Sequence, residues 1–263
     1  MSGLLAIDVN NTRSSLALWV AEAAVHHWAI ATERRRTADE YRLLLAGLLA
    51  QAERSRADVR AVVVGCVVPD LTPLVATACQ ELFDAIPLIV GPGVHSGLRI
   101  TTDDPREVGP DRIANGVAAA ARYGSPVIVL DFATALTIDV IGPGDEYLGA
   151  IITPGMALAA DALAGRTARL QRFELVAPPT AIANDTERAL QSGIVLGTVG
   201  LIEGLVRRIR AEVADGPVVA TGDTAAMGTL APLTRVIDHY DPLLTLDGLR
   251  LVYERHTARR SSR

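Results

Sequence analysis

Two segments of this chain share one design. AIDVNNTRSSLAL, from Ala6 to Leu18, and VIVLDFATALTIDVI, from Val127 to Ile141, each run an apolar strand into an acid and then turn through small and polar residues into a second apolar strand. Aligning Asp8 with Asp131 matches Asn10 to Ala133, Asn11 to Thr134 and Leu18 to Ile141, at an offset of 123 residues. A repeat of this length restricts the chain to a duplicated architecture, in which each copy buries its own strands. Two similar domains facing each other across a cleft are expected.

The segments around the hairpins support the duplication. Residues 4–9, 15–20 and 26–32 read as a meander of three antiparallel strands. Thr37 and Glu40 have capping-box spacing before Tyr41, Leu44, Leu45, Leu48 and Leu49, which predicts a helix to about Arg54. The β-branched run 60–68 reads as a strand covered on both faces. Thr72 can then cap a helix that starts at Pro73 and runs to about Asp84, and a strand follows at 87–90. The first half is thus βββαβαβ. After an irregular connection at 94–111, an Ala-rich helix spans 112–123, and the second half repeats a strand at 126–130, another apolar strand after a small-residue turn, and a third at 146–153. Helices at 156–170 and 185–213, a strand at 217–221 and a last helix at 246–256 complete it. The expected domains are residues 1–114 and 115–263, both α/β and each opening with the βββ meander.

Composition excludes several classes. A hydrophobic fraction of 49% and a net charge of -5 describe a folded domain that lacks a general surface for nucleic acid or anionic membranes. The arginines from Arg255 to Arg263 read as a frayed, solvated tail. Cys66 and Cys79 form neither a C-x-x-C pair nor a disulfide framework, which fits a reduced cytoplasmic setting. The N-terminus lacks the basic region of a signal peptide, and the apolar window 189–206 contains Gln191, Ser192 and Glu203, as a buried helix would. The five histidines show no zinc-ligand spacing.

A tight turn of small residues can point several backbone N–H groups at one anion. Two such turns suit a phosphate chain. A carboxylate at each strand end would repel phosphate unless a cation lies between them, with oxygen ligands suited to Mg²⁺ or K⁺. The alternative for either aspartate alone is a carboxylate that accepts hydrogen bonds from its own turn.

The first hairpin, GPDRIAN at 109–115, LDFATALTIDV at 130–140, LGAIITPG at 148–155, NDTERALQSG at 184–193 and ATGDTA at 220–225 together resemble type III pantothenate kinase, over almost the whole chain and in family order. The resemblance implies an actin-like ATPase fold of two ribonuclease-H-like domains around an ATP cleft. It also implies ATP-dependent phosphorylation of the primary hydroxyl of pantothenate, the first step towards coenzyme A, in a homodimer using Mg²⁺ and a monovalent cation, K⁺ or NH₄⁺. By motif, the turn from Asp8 through Asn10, Asn11, Thr12 and Arg13 is similar to the ATP phosphate loop. Asp8 would face a cation, Asp131 corresponds to the potassium-binding aspartate, Thr134 to a nucleotide contact and Gly222 to the adenosine-side turn. Gly109, Pro110, Asp111 and Arg112 match the substrate motif, with Asp111 as proton acceptor, and Thr186 matches a substrate-binding threonine.

Each position also has a plainer role. Asp111 has the place of a helix N-cap, Arg112 of a surface arginine, Gly222 of an ordinary turn glycine, and Thr186 of filler after a capping Asn184 or Asp185. Gly193, Gly197, Gly200 and Gly204 fall on one helical face and suggest close approach by another backbone, either the sheet below or a second subunit. Arg34, Arg35 and Arg36 read as a solvated loop. Family members commonly carry glycine where this chain has Asn10, Ala133 and Asp223, and an aromatic and an asparagine where it has Thr102 and Asp104. Three readings stay open on the sequence: an active pantothenate kinase, a paralogue acting on another small hydroxyl compound, and a catalytically weak regulatory or binding homologue.

Overall fold

The computed structural model describes residues 3–166 and 173–261. Contacts group the chain into two compact units. The first holds the chain up to Leu98, Asp103–Ala118 and everything from Leu244 on; the second holds Arg99–Thr102 and Ala119–Leu243. The division therefore differs from one at 114/115, chiefly because the last helix belongs with the first unit.

The first unit begins with β1 (Gly3–Val9), β2 (Arg13–Val20) and β3 (Ala23–Ala31), paired antiparallel in sequence. Helix α1 (Ala38–Gln51) follows, and the Thr37–Glu40 capping box is present in full. Strand β4 (Val59–Cys66) lies parallel to β1, and α2 (Thr72–Phe83) leads to β5 (Leu88–Ile89), parallel to β4. The sheet order is β3-β2-β1-β4-β5. Thr72 is the first helical residue of α2 and not its cap, because a 3-10 turn over Pro69–Leu71 runs straight into the helix. Ile7, Val9, Leu16, Val62 and Val64 bury one sheet face against Tyr41, Leu45, Leu49, Val75 and Cys79 of α1 and α2.

The second unit repeats this plan. After β6 (Arg99–Ile100) and α3 (Pro110–Tyr123), at which the division falls, β7 (Val127–Phe132), β8 (Ala135–Gly142) and β9 (Glu146–Pro154) form the second meander. Helices α4 (Met156–Arg166), α5 (Thr186–Gln191) and α6 (Gly197–Glu212) precede β10 (Val218–Gly222), α7 (Thr224–Leu230), β11 (His239–Tyr240) and α8 (Leu244–Ser261). The sheet order, β11-β10-β7-β8-β9-β6, is the first order again with one added edge strand, and β10 is parallel to β7 as β4 is to β1. The part of the expected α4 at 167–170 lies outside the described residues. A π-helical turn over Ser192–Leu196 joins α5 to α6, and Val199, Ile202, Val206 and Ile209 of α6 fill the core under β7, β8 and β10. Residues 186–212 are long and apolar enough to cross a membrane by composition, but these four side chains give the helix a buried face in the unit.

The register refines the repeat. Asp8 pairs with Ser15 and Leu5 with Leu18, whereas Asp131 pairs with Thr137 and Ile128 with Val140. The return strands are thus related by 122 residues, and Leu18 corresponds to Val140 instead of Ile141. Turn length is the cause: Asn10 N–H donates to the Arg13 carbonyl at 3.2 Å across two residues, but Ala133 N–H donates to the Ala135 carbonyl at 2.9 Å across one.

Helix α8 covers β1, β2 and β4. It meets α3 backbone to backbone, since a Cβ added at Gly248 would lie 1.9 Å from the Ala114 carbonyl oxygen. The expected C-terminal tail is instead helical to Ser261, and Arg255 Nη1 donates to the Ser96 carbonyl at 3.0 Å.

Candidate active site

In the first unit the parallel strands β1 and β4 end together. Asp8 is 3% exposed and lies directly across from Gly65. A Cβ on Gly65 would approach Pro110 Cβ to 3.6 Å, and one on Gly109 would reach Val67 Cγ1 at 3.8 Å. The Gly109–Arg112 motif therefore sits against the strand neighbouring Asp8. Carboxyl ends of adjacent parallel strands are where open α/β sheets bind ligands.

Gly109, and not Asp111, occupies the cap position of α3: its carbonyl accepts from Ile113 N–H at 3.0 Å, and the helix starts at Pro110. Proline suits this first position because its missing N–H would be unpaired there in any case. Asp111 is one residue further on, in the first turn. Its Oδ1 is shielded from solvent and has no hydrogen-bond partner among the described residues. A side chain at 109 would collide with that oxygen at 2.4 Å, so glycine leaves it room. Burial pushes the Asp111 carboxyl above its ordinary value, against the opposing pull of the Arg112 N–H and guanidinium and of its own N–H. A carboxylate held this way is a stronger proton acceptor than a solvated one.

The first turn is anchored by side chains. Asn10 does not adopt a positive φ. Its Nδ2 donates to Asp8 Oδ2 at 2.6 Å, so Asn10 positions the buried acid. Asn11, Thr12 and Arg13 are exposed at the tip. Thr12 also accepts through its carbonyl from Thr32 N–H at 3.0 Å.

In the second unit Asp131 lies across from Thr221, and Phe132 from Gly222. Gly222 has φ +91°, and a Cβ there would lie 2.2 Å from the Phe132 carbonyl oxygen and 2.7 Å from Asp131 Oδ1. The glycine is required by backbone conformation and by space, beyond an ordinary turn. Asp131 Oδ1 and the Phe132 carbonyl, which also accepts from Asp223 N–H at 2.7 Å, both lie beside Gly222, and hard oxygens of this kind suit an alkali or alkaline-earth cation and not a soft metal. Among the described residues no three His, Cys, Asp or Glu side chains form a metal cluster, so a cation here would draw on single carboxylates and backbone oxygens. Asp223 turns away to cap α7, accepting from Ala225 N–H at 2.8 Å. Thr134 is exposed in the second turn, and its carbonyl accepts from Gly155 N–H at 3.1 Å. Thr186 is the exposed first residue of α5, capped by Asp185 through Arg188 N–H at 2.9 Å.

Thr102 and Asp104 are settled locally. Asp104 caps the 3-10 turn at Pro105–Glu107 and holds Arg106 in a two-point pair at 2.9 Å, which keeps its carboxyl below the usual range. Thr102 Oγ1 is shielded without a partner among the described residues. One buried polar group had no legible signal: Asp139, 0% exposed on β8, accepts from Tyr147 Oη and from Thr137 Oγ1, the latter at 3.3 Å.

The same design occurs in known proteins. Residues 4–208 match the family described as "Type III pantothenate kinase". The "Type III pantothenate kinase" of Moorella thermoacetica is 45% identical over 255 residues, 97% of this chain and 100% of that one. "Type III pantothenate kinase 2" of Symbiobacterium thermophilum is 46% identical over 97% of each chain. Among solved structures, the ethanolamine utilization protein EutJ from Carboxydothermus hydrogenoformans superposes with a TM-score of 0.55 at 13% identity, covering 96% of this chain and 90% of that one. Component A of the Acidaminococcus fermentans (R)-2-hydroxyglutaryl-CoA dehydratase gives 0.52 at 12% identity and full coverage of both. At such identities the structural likeness speaks for the actin-like ATPase fold alone, which the twice-repeated sheet order also carries. The family match over residues 4–208 and sequence identity near 45% over nearly the full length decide the family: this chain belongs to the type III pantothenate kinases.

Proposed function

We propose that this protein transfers the γ-phosphoryl group of ATP to the primary hydroxyl of pantothenate, giving 4'-phosphopantothenate for coenzyme A synthesis. The observation that carries the reading is the shielded Asp111 Oδ1 in the first turn of α3, beside the strand that pairs with Asp8. The substrate oxygen bonds to the γ-phosphorus as the bond to the β,γ-bridging oxygen breaks, ADP leaves, and the hydroxyl proton passes to Asp111. In a loose transition state that proton moves late, so a positioned carboxylate is an adequate base.

The remaining roles follow from residue chemistry. The guanidinium of Arg112 suits the pantothenate carboxylate, with Gly109, Pro110 and Thr186 as further substrate contacts. Asn10, Asn11, Thr12 and Arg13 cradle phosphate, Thr134 contacts the nucleotide, and Gly222 flanks the adenosine. Asp131 with the Phe132 carbonyl would hold K⁺ or NH₄⁺, and Asp8 would face Mg²⁺; bound cations would offset phosphate charge. The free thiols of Cys66 and Cys79 suit a cytoplasmic enzyme.

A homodimer is part of the same proposal. Among the described residues no atom lies within 4 Å of a Cβ built at Gly193, Gly197, Gly200 or Gly204, so the sheet of this chain is not what the stripe accommodates. Four glycines cost a helix roughly 1 kcal/mol each relative to alanine, and a second copy would give that cost a purpose. Light scattering should show a dimer, dissociated by Gly200→Leu. For the activity, ADP release is followed with ATP, Mg²⁺ and K⁺; if saturating ATP gives no pantothenate-dependent release, the proposal is wrong.

A further inference from the structure

Arg34, Arg35 and Arg36 are adjacent in sequence but do different things. Arg36 Nη1 donates to the Ala31 carbonyl at 3.1 Å, and its guanidinium lies over the Tyr41 ring at 5.3 Å, so it fastens the loop to the fold. Arg35 is engaged through its backbone N–H, which donates to Glu33 Oε1 at 3.1 Å. Arg34 alone reaches the first turn: its Nη2 donates to Asn11 Oδ1 at 3.0 Å. Among the described residues no carboxylate pairs with Arg34, in contrast to Arg42, Arg106 and Arg250.

The loop that carries it is fixed at both ends. Thr32 N–H donates to the Thr12 carbonyl at 3.0 Å, and the Ser14 and Thr32 hydroxyls share a hydrogen bond at 2.7 Å. At the far end the Thr37–Glu40 capping box sets the start of α1. The second unit shows that this loop is an addition. There Gly155 N–H makes the equivalent bond to Thr134, yet α4 begins at the next residue, Met156.

We propose that Arg34 contacts the distal phosphates of the bound nucleoside triphosphate, with Asn11 holding its guanidinium in place. One N–H is committed to Asn11, and the remaining donors of a planar guanidinium match phosphate oxygens. Electrostatics give the same direction. The chain carries a net charge of -5 and buries Asp8 beneath this turn, so a polyanion arriving there needs a local cation. The proposal rests on the first turn being a phosphate cradle.

Steady-state kinetics on the full-length protein test it. Arg34→Ala should raise KM for ATP by about fivefold or more, on the scale of one charge-assisted hydrogen bond, while KM for pantothenate stays within about twofold. Arg34→Gln, which can still bond Asn11, should also fail to restore ATP affinity, and Arg34→Lys should recover part of it. Arg35→Ala removes the same charge from the same loop and should leave KM for ATP unchanged. If Arg34→Gln binds ATP like the parent, or if Arg35→Ala is as damaging as Arg34→Ala, the proposal is overturned. Asp8→Asn separates the layers: should it alter KM for ATP when Arg34→Ala does not, only the Arg34 assignment falls. Should neither alter it, the phosphate-turn reading falls too.

Discussion

Replacing Asp111 with asparagine should cripple catalysis and stabilise the protein in the same stroke. The wild-type carboxyl has one oxygen shielded without a hydrogen-bond partner, and burial raises its proton affinity. Leaving a buried acceptor unsatisfied costs roughly 1 to 3 kcal/mol. An amide keeps the carbonyl that the Arg112 N–H can bond and removes the buried charge, so recovery of about 1 kcal/mol is expected, or roughly 2 to 4 °C in Tm at this chain length. The sign with pH is fixed by the raised folded value. The native state prefers the protonated acid, so wild type is penalised as pH rises through that folded value, and the penalty vanishes below the ordinary value of 3.8, where both states are protonated. The stability advantage of Asp111→Asn should therefore be present at neutral pH and shrink on acidification. Activity moves oppositely: loss of a general base lowers kcat by about 10² to 10⁴, or roughly 3 to 5 kcal/mol of barrier. Calorimetry from pH 4 to 8 and the ADP-release assay read the two effects. A variant that keeps a tenth of wild-type kcat would remove Asp111 as base; one that melts lower than wild type at pH 7 would show that the carboxylate supports α3 instead of straining it.

Other perturbations test the scaffold. Gly248→Ala would gain roughly 1 kcal/mol by helix propensity, but its Cβ would meet the Ala114 carbonyl oxygen at 1.9 Å, and an overpacking cost of roughly 1 to 3 kcal/mol leaves a net loss of up to about 2 kcal/mol, a fall in Tm of up to about 8 °C. Gly222→Ala combines a φ of +91° with contact on Phe132 and Asp131, so it should lower stability by about 2 to 4 kcal/mol in urea melts and weaken K⁺ activation; unchanged K⁺ dependence would place the cation elsewhere. Burial pushes the Cys79 thiol up to about 12, whereas Cys66 is only half-buried, so iodoacetamide at pH 8 should label Cys66 first and Cys79 only on unfolding, as read by peptide mass.

Features with a local cause were legible in the residues. Thr37 and Glu40 predict a capped helix, and alternating or continuous apolar runs predict the strands, because both signals act over a few residues. Features decided by length or by distant packing were not. The second turn is shorter by one residue, and small residues in both turns conceal this, so a single offset hides the shift from Ile141 to Val140. The short β6, β11 and α7 lack enough residues to show a period. Helix α8 reads as the end of the second half, yet it completes the first unit, a pairing set by Gly248 against Ala114. Of the candidate site, both acids, the Gly109–Arg112 motif and Thr186 were visible as residues. The cap position of Gly109 and the docking of Arg34 on Asn11 were not, since both depend on where a backbone turns.

Asn10, Ala133, Asp223 and Asp104, the positions at which the sequence departs from the pattern expected of the family, bear on whether the site can work, and three of them have a local partner. Asn10 bonds Asp8 where a glycine could not, so the buried acid gains an anchor. Asp223 would add charge beside a nucleotide if it pointed outward, but it spends its carboxylate on the N-terminus of α7, where a negative group is stabilising. Asp104 is held by Arg106, which returns the local charge to that of an asparagine. Ala133 adds one methyl group to an exposed turn tip. A weak, merely regulatory homologue needs at least one of these changes to block or repel ATP. Three of them instead close on neighbours within the same turn or helix cap, while the oxygens of Asp111 and Asp131, to which the proposal assigns the proton and the cation, stand beside glycines that leave them room.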